Sequence, residues 1–241
     1  MTRTRTLVAL GVVSVLAATA AGTPAVAAPV REAAVSAAAP QPVASFDFDA
    51  PPVDGTFVSG NARAAVRGTA DLVAGREGHG TAARLSSAFW LDVRNADGGA
   101  VLAGDHEVTI SYDSMPAASD NVGWTVFAAA DAATPTFGNE RYLGILDRTG
   151  GLTVERYRNS GGRDTTGNLT HDGRAGWKHV DLVLSGETAR LYVDQKLLDA
   201  ALSGPALDEI LGTNGGVLQV GKANWGGGEY FSGLIDDLTI Y

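Results

Sequence analysis

Glu229-Tyr230-Phe231-Ser232-Gly233-Leu234-Ile235-Asp236-Asp237-Leu238-Thr239-Ile240-Tyr241 is the stretch whose reading decides the fold. A glycine turn leads into a run in which apolar and polar residues alternate, the period-two pattern of a half-buried strand. Leu234, Leu238 and Ile240 share a parity with Asp236, so the pattern predicts an acid among core-facing side chains. A carboxylate placed there needs a cation or hydrogen-bond donors.

Short alternating runs of the same kind extend back to Val43, separated by Gly, Asp and Asn turns. Expected strands are Val43–Asp49, Ala82–Leu85, Phe89–Val93, His106–Asp113, Val122–Ala130, Tyr142–Asp147, Leu152–Arg158, Trp177–Leu184, Ala189–Asp194, Lys196–Ala200, Val217–Val220 and Gly233–Tyr241. Turns at Asp147–Gly151, Ser185–Glu187 and Asp194–Lys196 predict three hairpins. One short helix is expected at Ala206–Leu211, after Pro205 and stopped by Gly212. A dozen strands and one helical turn imply an all-β fold of two antiparallel sheets packed face to face, a jelly-roll sandwich.

The first residues read as an export signal. Arg3 and Arg5 precede the apolar, small-residue run Leu7 to Ala21, and Ala25-Val26-Ala27 fits the rule for cleavage after residue 27. The run is short for a bilayer span, so no membrane insertion is expected after cleavage, and the mature chain is expected to be secreted. Residues 28–42 are an Ala/Pro-rich spacer with little to bury, leaving residues 43–241 as one domain. The chain has no cysteine, which excludes disulfides and thiol catalysis. Its 18 basic and 27 acidic residues give a net charge of −9; removing Arg3 and Arg5 leaves 16 − 27 = −11. An acidic surface argues against nucleic acid and is compatible with neutral glycans or bound cations.

Four pieces, in order, resemble the bacterial laminin-G-like, concanavalin A-like jelly-roll family. They are Ser45-Phe46-Asp47-Phe48-Asp49; Gly78-His79-Gly80-Thr81-Ala82-Ala83-Arg84-Leu85 with Phe89-Trp90-Leu91-Asp92-Val93; Gly176-Trp177-Lys178-His179-Val180 with Ala189-Arg190-Leu191-Tyr192-Val193-Asp194; and Leu218-Gln219-Val220-Gly221 with Phe231 to Tyr241. The resemblance implies a structural calcium ion joining the first strand, the Gly-rich segment and the final strand. It maps onto Asp47 or Asp49, carbonyls near Gly78 and His79, and Asp236. The alternative for Asp236 is a set of backbone amides or an arginine such as Arg84. Asp237, of opposite parity, is expected in solvent.

Sugar rings present flat C–H faces that stack on aromatic side chains. Trp225 and Tyr230, in the glycine-rich Asn224–Tyr230 loop, are candidate platforms, with Asn224 and Glu229 as hydrogen-bonding neighbours. The alternative for Trp225 is a cap on one edge of the sandwich. Trp124, Tyr142 and Tyr157 are candidates for a sheet face, whereas Trp90 and Trp177 are expected in the core. Arg156 to Asp164 reads as a solvated loop with three arginines. Enzyme signatures are missing: the sequence has no Glu-x-Asp-x-x-Glu strand, no Gly-x-Ser-x-Gly elbow and no paired zinc histidines, and its four histidines are scattered. The leading expectation is therefore a secreted carbohydrate-binding module for a glycan or glycosylated surface. A hydrolase or lyase with hidden carboxylates, or a protein-binding adhesion module, are the alternatives.

Overall fold

A computed structural model describes residues 41–117, 123–130, 141–148, 151–158, 163–169 (backbone), 176–224 and 229–241. Among the described residues, sixteen strands and one short helix occur in the order β1 (44–46), β2 (56–59), β3 (62–68), β4 (72–74), β5 (81–85), β6 (89–95), β7 (107–116), β8 (124–129), β9 (142–148), β10 (151–157), β11 (163–169), β12 (178–185), β13 (188–193), β14 (196–201), α1 (207–211), β15 (217–220) and β16 (233–240). They form two antiparallel sheets. The first runs β14-β13-β12-β7-β16-β5-β4, with β1 also on β16; the second runs β11-β10-β9-β8-β15-β6-β3-β2.

Each of the twelve expected strands corresponds to an observed one. β2, β3, β4 and β11 carry weaker signals. In β3 the inward residues are Ala62 and Ala64, too small to stand out as apolar, and β11 is Arg-Asp-Thr-Thr-Gly-Asn-Leu. Arg156 and Tyr157 thus lie in β10, and Arg163 and Asp164 in β11, rather than in a solvated loop, while residues 159–162 lie outside the described residues. Arg156 pairs with Asp164 across a β10–β11 hairpin, and its buried guanidinium donates to the carbonyls of Glu187, Ser203 and Pro205. Asp194 and Gln195 both take left-handed φ, 48° and 65°, between the paired residues Val193 and Lys196. That twist suits a two-residue hairpin.

The core lies between the sheets. Val108, Ile110, Tyr112, Val180, Leu182 and Ile235 meet Leu91, Val93, Val126, Ile145 and Val154. β16 is the shared strand. Its first half pairs with β5, its second half with β1, and both halves with β7. Between Asp236 and Thr239, β16 advances three residues while β7 advances two, and Asp237 takes φ 48°. This bulge switches the parity of the strand. Leu238 and Ile240 face the core together with Ile235, whereas Leu234 and Asp236 lie on the outward face. The expectation of one parity for Leu234, Asp236, Leu238 and Ile240 therefore fails at the bulge.

A polar knot crosses the core beside the buried Tyr112–Thr125 hydroxyl contact. Ser114 Oγ on β7 donates to Asp147 Oδ2 on β9 at 2.5 Å, and Lys178 Nζ on β12 lies 2.5 Å from Asp147 Oδ1. Removing one partner of a buried pair strands the other's charge. Asp147→Ala is expected to cost ~3–5 kcal/mol in urea unfolding. Asp147→Leu combined with Lys178→Met should cost clearly less than either single change.

Candidate functional site

The outward face of the first sheet carries a row of polar side chains. His179 on β12, Asp113 on β7 and Asp236 on β16 are cross-strand neighbours. The Gly75–Gly80 segment lies over this row: a methyl group at Gly75 would sit 2.8 Å from Asp236 Oδ2. Asp236 is consequently buried although it faces away from the core. Its Oδ1 accepts from the Asp237 amide at 2.9 Å, and Oδ2 has no hydrogen-bond partner among the described residues. Burial pushes the Asp236 carboxyl up, the Asp237 amide offsets part of this, and the charges of Asp237, Asp49 and Asp113 raise it further, to about 7. Arg84 is not its partner, since that side chain is exposed beside Asp71 at 3.4 Å.

Asp49 reaches the same segment from the chain that follows β1. Its Oδ1 accepts from the Thr81 amide at 2.9 Å, while Thr81 Oγ1 donates to the Phe48 carbonyl at 2.6 Å. Gly80 must be glycine, because a methyl group there would meet Asp49 Oδ1 at 1.8 Å and its φ is 75°. Asp47 is exposed and accepts from the Asp49 amide at 3.2 Å. Gly78 has φ 86° within the segment, and the His79 amide donates to the Arg76 carbonyl at 2.9 Å. The donor set fits calcium: Asp236 Oδ2 is a buried hard oxygen lacking a partner, in a field of carboxylates, with Gly80 carbonyl and Asp49 adjacent.

Asp237 is not simply solvated. Its Oδ2 lies 2.9 Å from His79 Nδ1, and the same nitrogen is 4.0 Å from Asp113 Oδ2. On the far side of Asp113, His179 Nδ1 contacts Oδ1 at 2.7 Å, and its Nε2 lies 3.2 Å from Asp181 Oδ1. Two of the four scattered histidines thus flank one aspartate. Around them is a cleft of about 560 Å³ lined by Arg76, Trp177, Asp194 and Gln195 as well as these groups. Trp177 lines this cleft, half-buried, and is not in the core. The polar parity of β7 and β12 was visible in sequence, but their mutual register was not.

The outward face of the second sheet gathers most of the aromatic candidates. Trp124 packs edge-on against Phe127 and Tyr142, at centroid separations of 5.1 and 5.8 Å, and Tyr157 lies 5.7 Å from Tyr142. Gly144 makes room for the indole, since a methyl group there would come within 2.3 Å of it. Trp124 Nε1 donates to Glu229 Oε2 at 2.7 Å, and Tyr142 Oη donates to Glu155 Oε2 at 2.7 Å. Trp124, Tyr142 and Asn224 are buried; Tyr157, Glu229 and Tyr230 are half-buried. Trp225 lies outside the described residues. Trp90 also departs from expectation: it alternates outward from buried Phe89 and Leu91, with Lys222 Nζ 4.6 Å above its ring and Tyr230 5.8 Å from the same ammonium. Glu155 was missed in sequence because only the β9–β10 register brings it to Tyr142. An apolar cleft of about 680 Å³, bordered by Leu85, Met115, Pro116 and Leu234, lies at the other end of β16.

The sequence over residues 67–241 matches the family described as the concanavalin A-like lectin/glucanases superfamily, and the chain belongs to that laminin-G-like family. No curated protein matches it. In structure it is similar to the botulinum neurotoxin serotype D/C binding domain (15% identity, TM-score 0.53). It is also similar to the binding domain of Paraclostridial Mosquitocidal Protein 1 (13%, 0.52). A third is the binding domain of botulinum neurotoxin DC in complex with SialylT (15%, 0.52). Each alignment covers 77% of this chain and 44–47% of the other, so the chain spans less than half of those domains. Among the described residues, no helix is long and apolar enough to cross a membrane.

His179 offers a pH test. Its hydrogen bonds to Asp113 and then Asp181 outweigh burial and raise it from 6.5 to about 10. Burial alone would raise Asp113, but the His179 bond and charge, with Arg76 and His79, leave it below its usual value. A raised histidine contributes stability that is complete below its unfolded pKa, about 6.5, and lost as pH climbs through about 10. The Ser111 hydroxyl and the Asp194 carboxylate also face this residue. The difference in unfolding free energy between the native protein and His179→Gln is expected to shrink from pH 6.5 to 10.

Proposed function

We propose that this is a secreted carbohydrate-binding module that holds a glycan against the outward face of its second sheet, on a scaffold braced by calcium. One observation carries the reading: Trp124, Tyr142 and Tyr157 converge with Glu155 and Glu229 on that face, and each carboxylate is oriented by an aromatic donor. The buried Trp124 and Tyr142 form the floor, while half-buried Tyr157, Tyr230 and Trp90 present rings for stacking. Oriented carboxylates accept hydrogen bonds from sugar hydroxyls. Trp225 and Asn224 enter this reading from the sequence alone: Asn224 is buried, and Trp225 lies outside the described residues. The Ala-Val-Ala cleavage pattern supports export. The complex of a structural neighbour with SialylT supports a glycan ligand by shared fold alone.

Calcium would be held by Asp236, Asp49 and the Gly80 carbonyl, with Asp47 and the carbonyls of Gly78 and His79 at the same turn. It would supply charge neutralisation for the Asp236 carboxylate and tie the start of the domain to its last strand. Ligand held at 100 times its Kd adds ~2.7 kcal/mol of stability.

Two measurements test these claims. On a glycan array, Tyr157→Ala and Tyr230→Ala should each weaken glycan binding between about 2-fold and 12-fold, with circular dichroism verifying that each variant remains folded. Silence on every glycan, or release of reducing ends from a bound polysaccharide, would overturn the binding-module reading. EDTA should lower Tm and added calcium restore it, with Asp49→Asn abolishing the response.

A further inference from the structure

We propose a second cation site, suited to a borderline transition metal such as zinc, on His79, Asp113 and Asp237. It does not depend on the glycan reading, and its donors differ in kind from the all-oxygen calcium clasp beside it. His79 Nδ1 and one carboxylate oxygen from each aspartate all lie within 4.8 Å of one another. Ligands on a tetrahedral zinc, with bonds of about 2.0–2.1 Å, sit about 3.3 Å apart. The observed separations of 2.9 Å for His79–Asp237 and 4.0 Å for His79–Asp113 bracket that value. An imidazole nitrogen is a poor calcium ligand and a good zinc ligand.

The supporting groups have the arrangement a metal site requires. His179 Nδ1 contacts the other oxygen of Asp113, Oδ1, at 2.7 Å, which leaves Oδ2 turned toward His79. Such partners orient ligands. Asp237 sits at the β16 bulge with φ 48°, beside Asp236 in sequence. Asp236 is fully buried and faces Asp113 across the strands, beside the site. Arg76 is the competing cation: its Nη1 stands 3.6 Å from Asp113 Oδ2, beyond hydrogen-bond distance, and the side chain is 42% exposed. Three protein donors and a cleft of about 560 Å³ leave a fourth position for water or a ligand atom.

The test is isothermal titration of the full chain with zinc chloride in the presence of saturating calcium, followed by cobalt absorption spectra. A single zinc site is expected. His79→Ala and Asp237→Asn should each abolish it, and Asp237→Asn, whose side chain is not among the calcium donors, should leave the calcium-dependent rise in Tm intact; Asp49→Asn should do the reverse. His79 is 41% exposed on a loop, so its replacement leaves packing undisturbed, as circular dichroism would verify. His179→Gln, which removes only the partner of Asp113, should weaken zinc by about 10- to 100-fold. Cobalt should give the strong visible bands of four-coordination, lost in His79→Ala. Absence of zinc binding, binding that survives His79→Ala, loss of it in His106→Ala, or zinc displaced by calcium at one shared site would each overturn the proposal.

Discussion

The last strand cannot satisfy all its neighbours with an unbroken period of two. β16 pairs with β1, β5 and β7, so its register is imposed from both sides. One extra residue at Asp237 reconciles the two halves and places Ile235, Leu238 and Ile240 in the core. The cost is a carboxylate, Asp236, held against Asp113 on the outward face and covered by the Gly75–Gly80 segment. Burying that charge uncompensated is unfavourable. Arg76, His79 and His179 gather at the neighbouring Asp113, while Asp236 Oδ2 has no hydrogen-bond partner among the described residues.

The two outward faces have therefore taken opposite characters. That of the first sheet carries aspartates and histidines under the Gly75–Gly80 segment. That of the second carries packed aromatic rings, with carboxylates held by indole and phenol donors. Asp92, bridged by Arg67 at 2.7 Å and Gln219 at 3.1 Å, continues the second face as a polar strip beyond Trp90. The sandwich core separates these faces, so either can change without repacking the other.

Alternation, turn chemistry and composition were enough to place the twelve stronger strands, the helix and the two-sheet architecture. They also brought Trp124, Tyr142, Tyr157 and Glu229 to notice as residue types. Legibility failed where burial did not follow hydrophobicity. Arg156 and Lys178 are buried because carbonyls and Asp147 wait for them. Trp90 and Trp177 lie outward because cleft and cation–π contacts hold them there.

What the sequence by itself determined is local: strand periodicity, glycine turns with left-handed φ, the lack of thiol chemistry, and an acid in the final strand. Register was left to the tertiary structure, because a strand's own residues do not name its partner, which lies 13 residues away for Tyr142 and Glu155, 66 for Asp113 and His179, and 105 for Trp124 and Glu229. Only that pairing set Asp113 between His79 and His179, turned Asp236 outward at a bulge, and joined Glu155 and Glu229 to the rings that orient them.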